Sequence, residues 1–145
     1  MDPVSVIGLT GAIIGIVDVV TRSVKLLSDL KSRYNIIDLK INLLIGQLST
    51  LRAALNQIDD LASSYLATTR HEQLYSDVSV SLQGCEAIIF VLNDRLTQME
   101  RNDYNRLTKG SKAYFLWDES TISEYLVLIN NQINALNLLL TALQW

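Results

Sequence analysis

The feature that most constrains this chain is an alternation of four- and three-residue steps between apolar positions, repeated in separate stretches. It runs through Ile37, Ile41, Leu44, Leu48, Leu51, Leu55 and Ile58, and again through Tyr75, Val78, Leu82, Cys85, Ile89, Leu92, Leu96 and Met99. It returns in Ile122, Leu126, Ile129, Ile133, Leu136, Leu140 and Leu143. A fourth run, Val6, Leu9, Ile13, Ile16 and Val20, continues less regularly through Val24, Leu27 and Leu30. Steps of this kind line one face of a helix, and no stretch alternates with the period of two that a strand needs. The chain therefore reads as all-α, with helices near 3–33, 36–61, 70–102 and 119–145. A seam period close to 3.5 predicts a four-helix bundle with shallow crossings of about 20°.

Capping signals sit where the runs begin. Asp2 followed by Pro3 places a side-chain acceptor before the one helical position where proline fits. Asn35 with Asp38, Thr69 with Glu72 and Thr121 with Glu124 have capping-box or closely related spacing. The short connections predict that the first three helices are antiparallel neighbours. The longer connection, 103–118, carries Tyr114, Phe115, Leu116 and Trp117, which predicts an additional short helix or turn plugging one end of the bundle. With 145 residues the whole chain, 1–145, reads as a single domain. Trp145 falls in mid-pattern without a helix stop signal, so the chain reads as the N-terminal module of a longer protein.

The residues offer little for catalysis, and the chain does not read as an enzyme. His71 has no second histidine or cysteine at metal-ligand spacing, and Cys85 lies on a helical seam, where a free thiol packs as a small hydrophobe. Asp59 with Asp60 and Asp118 with Glu119 fall at expected helix ends, where Asp118 and Glu119 serve the helix dipole. There is no glycine-rich phosphate loop, and no catalytic, cofactor or metal site is expected. A formal charge of −3 and a pI near 5.0 argue against nucleic acid as a partner. The start lacks the basic segment of a secretory signal and no asparagine lies in a glycosylation sequon, which reads as a cytoplasmic protein.

Charged residues make up 19% of the chain against about 25% in a typical soluble domain, and the deficit is local. Residues 4–17 carry no charge, so the face opposite the first seam consists of Val4, Ile7, Gly8, Gly11, Ile14 and Gly15, with Val17 beside it. A helix apolar on all sides is either buried all round or belongs in a membrane. The glycines cost about 0.8–1.0 kcal/mol each relative to alanine, and Gly11 with Gly15 has the small-xxx-small spacing of close helix pairs. The uncharged stretch is shorter than a ~20-residue span, and Asp18 would cost about 2.5–3.5 kcal/mol at a bilayer centre. Downstream, Arg22, Lys25, Lys31 and Arg33 outweigh Asp29, a local +3 that suits anionic headgroups. Arg101, Arg106, Lys109 and Lys112 form a second basic cluster. The last helix is uncharged from Tyr125 onward, and its stripe of Asn130, Asn134 and Asn137 predicts a packed face meeting the first helix, a partner subunit or further chain.

The opening Met1-Asp2-Pro3-Val4-Ser5, the apolar glycine-containing helix, the Leu-rich second helix, Lys112-Ala113-Tyr114-Phe115-Leu116-Trp117 running into Asp118-Glu119, and the Leu-rich last helix together resemble fungal N-terminal HeLo-like domains. The resemblance spans essentially the whole chain, and its specificity lies in the order of short motifs. Such domains stand at the front of fungal NLR-like receptors and of amyloid-signalling proteins. The resemblance implies a bundle similar to that of the mixed-lineage kinase-like necroptosis executioner. It further implies a cell-death effector of heterokaryon incompatibility and fungal immunity, which oligomerises, moves from the cytoplasm to the plasma membrane and permeabilises it with its first helix. Self-association and anionic lipids are then the expected partners, through Val4 to Val20 with Gly8, Gly11 and Gly15 as the packing surface. A non-enzymatic interaction adaptor without membrane activity is the second expectation.

Overall fold

The computed structural model describes residues 3–33, 39–65, 72–105 and 119–144, with side chains described within 8–32, 39–61, 73–98 and 120–143. All described residues are helical, in α1 (Pro3–Arg33), α2 (Leu39–Tyr65), α3 (Glu72–Asn105) and α4 (Glu119–Gln144). The additional turn expected at Tyr114–Trp117 and the site of His71 lie outside the described residues. Two ends differ from the sequence expectation. Helix α2 runs on to Tyr65, so Asp59 and Asp60 stand more than a turn inside it, and α3 runs on to Asn105. Neither stretch contains glycine or proline, so nothing in its sequence stops the helix.

The seams form one continuous core. From α1 it takes Leu9, Ile13, Ile16, Val20, Leu27 and Leu30; from α2, Leu44, Leu48, Leu51, Leu55 and Ile58. Helix α3 contributes Val78, Leu82, Cys85, Ile89, Leu92 and Leu96, and α4 contributes Ile122, Ile129, Ile133, Leu136, Leu140 and Leu143. Ile41, Val24, Tyr75 and Leu126 are only half-buried, while Tyr125, Val19 and Ser23 are buried in addition.

Around the bundle the order is α1, α2, α4, α3. Helices α2 and α3 therefore face each other across the diagonal instead of packing side by side as their short connection suggested. Six residues separate their ends, and a chain of that length reaches up to about 20 Å, enough to cross a bundle of helices spaced 8–10 Å apart. Polar contacts fix the directions. The Lys31 ammonium donates to Asn42 Oδ1 and an Arg52 guanidinium N–H to Thr21 Oγ1 (3.3 Å), so α1 and α2 are antiparallel. Cys85 Sγ lies 3.5 Å from Gln132 Oε1 and the Arg95 guanidinium 6.0 Å from the Tyr125 ring, so α3 and α4 are antiparallel. Lys40 Nζ donates to Ser123 Oγ at 2.9 Å between the starts of α2 and α4, which run parallel.

Candidate functional site

The residues singled out on α1 divide by face. Its seam faces α2 and α3, whereas Gly8, Gly11, Ile14 and Gly15 are exposed and Val17 is half-buried. Ile14 keeps 59% of its surface, and a Cβ built on Gly8, Gly11 or Gly15 meets no atom within 4 Å. Burial on every side is therefore not what the bundle provides for these residues; the side chains of Val4 and Ile7 lie outside those described. One turn further, Asp18 and Arg22 pair at 3.2 Å, both well exposed. Lys25 is exposed, Lys31 is drawn onto Asn42, and the side chains of Arg33 and of the second basic cluster lie outside those described.

The polar anchors of α1 start where its apolar outer face stops. Thr21 Oγ1 donates to the Val17 carbonyl at 2.9 Å and accepts from Arg52. Ser23, fully buried, donates to Asn93 Oδ1 on α3 at 3.2 Å. Ser23 was not legible as a core position, because a serine in an apolar repeat carries no hydrophobic signal. Its burial follows from α1 packing against two helices at once, which needs a wider inward stripe than one seam.

Helix α4 also presents an uncharged outer face. Asn130, Asn134 and Asn137 are exposed, together with Val127, Leu128 and Leu138. Of the three partners expected for this face, the first helix is excluded, since α1 lies across the diagonal. Between α3 and α4 a surface groove of about 350 Å³ opens over Ala87, Ile88, Val91 and Leu128, with Arg95, Thr121, Glu124 and Tyr125 at one end. Burial pushes the Tyr125 phenol up, while the Arg95 guanidinium beside it pulls it down and Glu124 adds to the rise. Two segments, Gln73–Gln98 and Ser120–Leu143, are long and apolar enough to cross a membrane by length and composition, a test that core helices of soluble bundles also pass.

Among the described residues no group of three or more His, Cys, Asp or Glu is placed to hold a metal ion. Cys85 is fully buried, and burial pushes its thiol from 9.0 up to about 12. A thiol in that state is a packing residue rather than a nucleophile. Because the folded value is raised, its contribution to stability is complete below about pH 9 and is lost as pH rises toward 12. At pH 8 a water-soluble disulfide reagent is expected to label Cys85 only after denaturant is added; equal labelling of the native chain would contradict the assignment.

No family model, curated protein or solved structure matches the chain.

Proposed function

We propose that this chain is a self-associating, membrane-acting effector domain of the HeLo-like kind, whose first helix carries the membrane contact. The observation that carries the reading is the outer face of α1: exposed, uncharged from Gly8 to Val17, and built on glycines that pack nothing in the bundle. The core holds the opposite face through Leu9, Ile13, Ile16 and Val20. Burial in the bundle and burial in lipid then compete for one helix, and assembly on a membrane shifts the balance. Arg22 and Lys25 follow the apolar stretch at the position where anionic headgroups lie, each such cation contributing about 1 kcal/mol near a charged surface.

The test is dye release from vesicles containing phosphatidylserine. Ile14→Asp alters an exposed residue and leaves the core intact. A carboxylate at membrane depth costs about 2.5–3.5 kcal/mol, so leakage is expected to fall at least tenfold. Leakage equal to that of the parent chain would reject the membrane reading. The uncharged face of α4, with Val127, Leu128 and Leu138 exposed beside the asparagines, favours a second reading. In it the domain is an interaction adaptor, which predicts no leakage from either chain.

A further inference from the structure

We infer that copies of this chain assemble head to tail, the outer face of α1 of one copy lying in the α3–α4 groove of the next. This rests on the self-association half of the reading above and not on its membrane half. The groove has an apolar floor, Ala87, Val91 and Leu128, closed at one end by Arg95 and Glu124. The outer face of α1 has the matching order: Gly11, Ile14 and Gly15, then Asp18 and Arg22, all exposed.

The spacing agrees as well as the order. Four helical residues advance about 6 Å, which separates Ile14 from Asp18, Val91 from Arg95 and Leu128 from Glu124 alike. Ile14 set over Val91 and Leu128 therefore brings Asp18 level with Arg95 on the α3 wall and Glu124 on the α4 wall, so its carboxylate pairs toward Arg95, while Arg22, one turn on, reaches back to Glu124. With the incoming α1 running parallel to α3, the charges are complementary in both pairs. The Asp18–Arg22 pair inside one α1 is exposed and intrahelical, and exchanges readily. Face and groove are different patches on different sides of the bundle, so the contact is not self-complementary and each copy keeps one free face and one free groove. Assembly of this kind grows into rings or filaments instead of stopping at a two-fold dimer.

Sedimentation of the full 145-residue chain in lipid-free buffer tests this. The parent chain is expected to grow in mass with concentration beyond a dimer. Asp18→Arg and Arg95→Asp, each placing like charges together, are expected to raise the concentration of half-assembly about tenfold or more, and the double variant to return it toward the parent value. Gly11→Arg, which blocks the face, and Val91→Arg, which blocks the groove, are expected to be monomers that form a dimer and nothing larger when mixed. Cooperative circular dichroism melts with midpoints not below that of the parent establish that all five variants are folded. A monomeric parent, a closed dimer, single variants that assemble normally, or a mixture that stays monomeric would each overturn the proposal. Vesicle leakage separates the two readings. Normal assembly without leakage rejects only the membrane step, whereas leakage that needs Ile14 but ignores Val91→Arg and Arg95→Asp rejects only this interface.

Discussion

Leu55→Ala is expected to lower the unfolding free energy by about 2–5 kcal/mol, a large share of what a domain of this size possesses. Leu55 is fully buried in the middle of α2, the helix that packs between α1 and α4. Truncation there removes apolar surface from the core and leaves a cavity that rigid neighbouring helices fill only in part. Leu138→Ala is the control. Leu138 keeps 73% of its surface on α4, and its truncation is expected to change stability by no more than about 0.5 kcal/mol in the monomer. Urea unfolding reads both, with a shifted midpoint and an unchanged slope for Leu55→Ala. Equal effects of the two substitutions would mean that the bundle is not packed around the α2 seam.

The double variant Gly11→Ala/Gly15→Ala is expected to stabilise the monomer by about 1.6–2 kcal/mol, the helix-propensity difference for two interior positions. Nothing lies within 4 Å of a Cβ at either position, so the added methyl groups cost nothing sterically. For a chain of this length the gain raises the thermal midpoint by about 4–8 °C. Gly84→Ala is the counter-example: its Cβ would meet the Gln132 amide at 3.3 Å, between α3 and α4, and no comparable gain is expected. A fall in thermal midpoint for the α1 double variant would show that those glycines are in contact within the bundle. A rise leaves them without a role in the monomer's stability.

Much of the core was legible because the four-three repeat is a geometric property of a helix that buries one side. Leu44, Leu48, Leu51, Leu55 and Ile58 could be read directly, and so could Val78 to Leu96. Each helix touches two neighbours, and the single seam understates what is buried in α1, α2 and α4, where Val19 and Ser23, Ala54, and Tyr125 are buried beside it. Helix α4 packs against both α2 and α3, and Tyr125 is buried beneath Arg95 while Leu126 is only half-buried. In α1 the same cause buries Val19 and Ser23. The glycine face of α1 and the asparagine stripe of α4 were visible as departures from ordinary surface composition. The α3–α4 groove was not, because Ala87, Val91 and Leu128 come together only across two helices far apart in the chain.

The sequence alone determined the helical class, the number of long helices and most of the residues that enter the core, since these follow from local periodicity and from where caps and proline fall. Only the tertiary structure decided which helices are neighbours. Placing α2 and α3 on a diagonal depends on how four inward stripes of different width share one core, and no single helix carries that information. The same arrangement decided that the uncharged faces of α1 and α4 both turn outward. Each stripe of apolar side chains was bound to be buried by something, and the bundle has room at its centre for only one face of each helix.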